Sequence, residues 1–190
     1  EPDRFIISRE LQNQNMVSLD SIVNGNIDFI KADVQGAELD VLKGSGPLID
    51  DLLGLEVEVE FVQLYSKQPR FNDVNEWLES NSLELNDFLH TYRWSRDEFN
   101  DCGKLIFADC LYLRSPEYVL QNDLNWKKYL LICVLYKRYD LVDVILKQKG
   151  LMYSDLNHLK RQFEFEKKVY RRMNFISNSL SETNFIHLTY

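Results

Sequence analysis

No run of about 18 apolar residues occurs in the chain, so no segment reads as a bilayer-spanning helix. Nor is there a signal-peptide pattern, and the chain is expected to be soluble and cytoplasmic. Cysteine is scarce: Cys102, Cys110 and Cys133 show neither CxxC spacing nor an even-numbered framework, which argues against a disulfide scaffold or a thiolate metal site. Positive charge is short as well, with 22 Lys and Arg against 30 Asp and Glu and a formal net charge of -8. A general phosphate-backbone binder needs a basic face, and the local patch "EKKVYRR" does not supply one, so no nucleic-acid partner is expected. No glycine-rich phosphate loop follows any predicted strand, and no repeat or low-complexity tract is present.

What is there is an ordinary globular mixture, 45% hydrophobic and 27% charged over 190 residues, enough for one domain plus an extension. The chain opens on Glu1 and "EPDRFIIS", which reads as a fragment or a processed chain, with a short strand from Phe5 to Ile7. "MVSLDSIV" predicts a turn or short helix, "IDFIKADV" a strand, and "AELDVLKG" a helix with Glu38 in its first turn and Gly44 at its end. "LEVEVEFV" alternates strictly. That pattern places Leu55, Val57, Val59 and Phe61 on one face of a strand and Glu56, Glu58 and Glu60 on the other. A helix over residues 72–81 capped by Asn72 follows, then strands at "LELNDFL" and "LIFADCLYLR", with "YRWSR" (92–96) read as a hairpin connection. Alternating strands and helices imply an α/β sheet, parallel in part and closing on an antiparallel hairpin. After Ser115 the texture becomes helical: two helices break near residues 138–140, a longer one covers "SDLNHLKRQFEFEKKVYRRMNF", and a polar tail (177–190) frays. Residues 1–114 are therefore expected to form the α/β domain and 115–190 an α-helical extension.

One strand asks for an explanation. Alternation on "IDFIKADV" puts Lys31 and Asp33 on the same face as Ile27 and Phe29. A buried lone charge costs several kcal/mol, so Lys31 must meet a carboxylate, from the "LEVEVEF" glutamates or from Asp109 on the last strand. Asp33 ends its strand, where open α/β sheets place ligands, and Gly36 turns the backbone without a side chain to block one. A structural ion-pair network with a turn glycine explains the same residues equally well. His90, His158 and His187 are scattered and form no constellation.

"IDFIKADVQGAELDVLKGSG" resembles the hallmark segment of the FkbM family of S-adenosylmethionine-dependent methyltransferases. "EVEFVQLYSKQPRF" resembles that family's later strand and "Y..QP" loop, and "GKLIFADCLYLR" its closing strand, so the likeness covers roughly residues 16–114 in family order. Gln35 stands where the family usually has glutamate. The resemblance implies a Rossmann-like class I methyltransferase sheet represented by its later strands. The glycine-loop half, about a hundred residues at roughly 30 per strand–helix–strand step, is not represented. It further implies S-adenosylmethionine as cofactor and a hydroxyl on a sugar or other small metabolite as methyl acceptor, with no metal assigned. By resemblance Asp33, Val34, Gln35, Gly36 and Glu38 border the cofactor. Asp33 and Glu60 carry the chemistry, and Glu58, Tyr65 and Gln68 line the acceptor site; on residue physics alone, Lys31 and Asp109 are assigned to a structural ion pair. The first retained strand would be an exposed apolar edge, expected to be covered by a second copy in a homodimer, by the helical tail, or by the missing half. A non-catalytic interaction or oligomerisation module built on a degenerate half-domain is the alternative reading.

Overall fold

A computed structural model of the chain describes residues 17–96, 103–152 and 185–189. The short strand expected at Phe5 to Ile7 and the long helix expected after Ser154 lie outside these residues. After a short helix α1 (Leu19–Ile22) come β1 (Phe29–Asp33), α2 (Glu38–Lys43), α3 (Leu48–Asp51) and β2 (Gly54–Glu60). Next are α4 (Phe71–Ser80), β3 (Glu84–Trp94), β4 (Lys104–Leu113), α5 (Pro116–Gln121), α6 (Trp126–Leu135), α7 (Tyr139–Lys149) and β5 (Phe185–Thr189). The strands form one mixed sheet in the order β3-β4-β2-β1-β5. β1 pairs in parallel with β2 and β5, while β4 runs antiparallel to β2 and β3.

Alternation along the strands builds two cores. Ile30 and Ala32 of β1, Leu55, Val57 and Val59 of β2, and Ala108, Cys110 and Tyr112 of β4 pack with α2 and α4. The opposite face carries Phe29, Leu111 and Leu113, and against these pack Val119 of α5, Tyr129 and Ile132 of α6, and Val142 and Ile145 of α7. The helical segment after Ser115 thus covers a face of the sheet, and its apolar residues share a core with the strands. Burial drives the Cys110 and Cys133 thiols up to about 12, so both stay protonated and inert.

Four local expectations are corrected. Phe185–Thr189 is a strand on β1, so the extension is not wholly helical and this part of the tail is not frayed. Its Phe185, Ile186 and Leu188 are strand-forming residues, and pairing serves β1, which otherwise presents a row of unpaired N–H and C=O groups. The edge for which a second copy was invoked is therefore occupied by the chain itself. α4 starts one residue earlier than predicted: its N-cap is Arg70, whose N–H donates to the Asp73 carboxylate at 2.8 Å, and Asn72 lies inside the helix. β3 runs on to Trp94, through the segment read as a hairpin connection, and shifts register at three points along β4. Such irregularities are how long edge strands blunt their pairing capacity.

One buried cation ties the layers together. Arg114, just after β4, is 1% exposed and is bonded to backbone carbonyls, with the Asp50 charge acting on it from further away. Its guanidinium donates to Leu52 O at 2.9 Å, to Ile49 O at 2.6 Å and to Asn81 O, and lies 4.4 Å from the centre of the Tyr118 ring. Carbonyls at the ends of α3 and α4 carry the negative end of each helix dipole and so suit a buried cation. Arg114→Ala removes the donor from Leu52 O and Asn81 O and leaves Ile49 O with only its long bond from Leu52 N–H. It should lower stability by about 3 kcal/mol, read as a lower urea midpoint at unchanged slope.

Candidate functional site

β1 ends on Asp33 and the chain turns through Gln35 and Gly36, both at positive φ (57° and 100°). The turn is held from inside by Glu38, the first residue of α2 and only 2% exposed. Its carboxylate accepts N–H bonds from Val34 at 2.9 Å and from Gly36 at 2.9 and 3.2 Å. Glu38, Val34 and Gly36 therefore form one preorganised turn, in which Glu38 is committed to the backbone. Gly36 is required there twice over. Its φ disfavours a side chain, and a Cβ would stand 2.7 Å from Gln68 Nε2.

The glutamate row of β2 supplies the opposite wall. Glu56 is bonded by Lys31 on one oxygen and by the Tyr136 hydroxyl at 2.8 Å on the other. Burial opposes the Lys31 charge, but the bond to Glu56 and the attraction of Glu56, Asp109 and Asp33 outweigh it and hold its pKa above the ordinary value. The strand lysine has its carboxylate, though the bonded partner is Glu56 where Asp109 was named. Burial raises the pKa of Asp109 itself, with Lys31 acting against that rise.

Further along β2, Glu58 and Glu60 have no cation bonded to them among the described residues. Burial first, then repulsion from Asp33 and Glu38, pushes Glu58 up to about 7. Burial, then repulsion from Glu38 and Glu58, pushes Glu60 up to about 8. Carboxylate oxygens of Glu38, Glu58 and Glu60 lie within 4.8 Å of one another, close enough to share protons or to surround a cation. Gln35 spans the mouth, donating from Nε2 to Asp33 Oδ1 at 3.0 Å and weakly to Glu58 Oε1 at 3.5 Å. Near pH 7 the cluster thus holds protons on groups that ordinarily have none, which suits proton exchange with a ligand hydroxyl.

The loop after β2 closes over this turn. Gln68 is 8% exposed, and its Oε1 accepts from Leu64 N at 2.9 Å and Tyr65 N at 3.0 Å. Tyr65 itself is 54% exposed, so it borders the site by its backbone more than by its ring. Asp33, Val34, Gln35, Gly36, Glu38, Glu58, Glu60 and Gln68 are brought together at one end of the sheet. Lys31 lies deeper along β1, while Asp109 pairs with Glu58 across β2 and β4, and His90 stands opposite Asp109 on β3. Tyr136 escaped the sequence reading because it follows a helix 80 residues from Glu56, with no local pattern to mark it.

Residues 4–88, just under half of the chain, match the family model described as the methyltransferase FkbM domain. That span includes β1, β2 and the turn, while the block "GKLIFADCLYLR" lies beyond it. The mixed α/β sheet is compatible with a Rossmann-like methyltransferase fold. No curated protein and no solved structure matches the chain.

Two outcomes test this geometry. Glu58 and Glu60 keep protons in the folded chain that the unfolded chain releases near 4.5, so stability should fall as pH rises from about 4.5 through 7 to 8. Glu60→Gln should flatten that fall and raise the melting temperature at pH 8, with little change at pH 4. Gly36→Ala should destabilise by about 1–3 kcal/mol through its positive φ and the collision with Gln68, measured by chemical denaturation.

Proposed function

We propose that this chain, whose residues 4–88 match the methyltransferase FkbM domain, transfers a methyl group from S-adenosylmethionine to a hydroxyl of a sugar or other small metabolite. The observation that carries this reading is the meeting of Asp33, Glu58 and Glu60 beside the Gln35–Gly36 turn at the carboxyl ends of two parallel strands. Open α/β sheets bind ligands in that crevice. A wall of desolvated carboxylates fits a cationic sulfonium. Bound there, S-adenosylmethionine would supply an electrophilic methyl carbon.

The chain's own residues supply position and a proton path. Asp33, fixed by Gln35, orients the acceptor hydroxyl for in-line attack. As the C–O bond forms and the C–S bond breaks, the acceptor oxygen loses its proton to Glu60, whose pKa near 8 suits a base once it has ionised. Glu58 holds the negative field, and Gln68 sets the loop that closes the acceptor side. Val34, Gln35, Gly36 and Glu38 form the rigid floor that borders the cofactor.

Calorimetric titration with S-adenosylmethionine and S-adenosylhomocysteine tests the reading. Saturable binding supports it, and absence of binding favours a non-catalytic module. Asp33→Ala should abolish methyl transfer while moving the melting temperature little. Lys31→Ala should instead cost about 2 kcal/mol, by leaving Glu56 without its cation. The reverse ranking in thermal melts would overturn these roles.

A further inference from the structure

Beside the crevice, between α2, the loop after β2 and α4, lies an open cleft of about 580 Å³, a volume in the range of small-molecule sites. Lys43 and Lys67 stand among its lining residues, as do Asp73, Glu76 and a half-buried Trp77. Neither lysine has an ion-pair partner among the described residues. Gln68 also lines the cleft, and its orientation is fixed, because Oε1 already accepts from Leu64 and Tyr65. The amide nitrogen is therefore a buried donor with no acceptor among the described residues, set against Gly36. An unmade buried bond of this kind costs about 1–3 kcal/mol, and native chains keep few of them. Lys67, immediately before it, sits at φ 61°, a strained conformation for a residue with a side chain.

We infer that this cleft binds the body of the methyl acceptor and selects a hydroxylated ring that carries an anionic group, a carboxylate or a phosphate. The inference rests on the methyltransferase reading and adds the acceptor's chemical class. Each wall has a task in this arrangement. Lys43 and Lys67 meet the anion, Trp77 offers its indole face to the ring, and Asp73 and Glu76 accept from ring hydroxyls. Gln68 lines the cleft and packs where a Gly36 side chain would stand, so the cleft adjoins the turn that borders the reacting groups.

Saturation-transfer NMR on the whole chain with glucuronate, glucose 6-phosphate and neutral glucose tests this. Saturable binding of one or both acidic sugars, tighter than glucose by about tenfold or more, is expected. The acid that binds better identifies carboxylate or phosphate as the preferred anion. The double variant Lys43→Ala/Lys67→Ala, exposed at both positions, should reduce the acidic sugars to the level of glucose. S-adenosylmethionine titrated into the same samples reports the cofactor site separately. Retained cofactor binding with no sugar signal at millimolar ligand, or with equal binding of neutral and acidic sugars, overturns the acceptor class alone. Loss of cofactor binding in the wild-type chain overturns the underlying reading.

Discussion

Six carboxylates crowd one region of a small sheet, and the structure depends on how each is kept from meeting an apolar environment as a bare charge. Glu56 is neutralised by Lys31 and bonded by Tyr136. Glu38 spends its charge on the backbone N–H groups of the turn, and Asp33 accepts from Gln35. Asp109 faces the field of Lys31. Glu58 has only a weak bond from Gln35, neither it nor Glu60 has a cation bonded to it among the described residues, and burial raises the pKa of both. A desolvated carboxylate costs several kcal/mol unless paired, so a chain that merely needed to fold would place apolar residues here. Retaining unpaired acids at the carboxyl end of parallel strands is a pattern of functional sites.

The surrounding architecture serves that constraint. Tyr136 reaches Glu56 only because α6 packs on the sheet face that holds Phe29 and Leu111, with the Phe29 and Tyr136 rings stacked at 5.3 Å. The helices after Ser115 are thus wired to the acid row as well as to the core. On the other face, α2 and α4 fix the turn and the loop from which Gln68 reaches Gly36. Arg114 holds the ends of α3 and α4 against β4, and so keeps both faces in register.

Much of this was legible in the sequence because alternation is a local rule. The strict period of "LEVEVEFV" placed the three glutamates on one face, and a lysine inside "IDFIKADV" required a carboxylate across the strand pair. The choice of Glu56 over Asp109 was not legible, since it depends on strand register. Arg114 was hidden for another reason: its partners are carbonyls, which every residue has, so no residue type announces them. β5 was missed because it was read together with the polar segment before it, and its pairing partner β1 is distant in sequence. Gln68 stood out only through resemblance. Its importance lies in an unmatched donor, which only three-dimensional hydrogen bonding exposes.

The central claim is that a cationic cofactor binds against Glu58 and Glu60, and proton release on binding tests it most directly. Calorimetry near pH 7 in two buffers of different ionisation enthalpy counts the protons. The account predicts net release when S-adenosylmethionine binds, because its sulfonium lowers both raised pKa values, and less release for the uncharged sulfur of S-adenosylhomocysteine. Binding of both ligands with equal proton exchange would contradict it, by placing the sulfur away from these carboxylates.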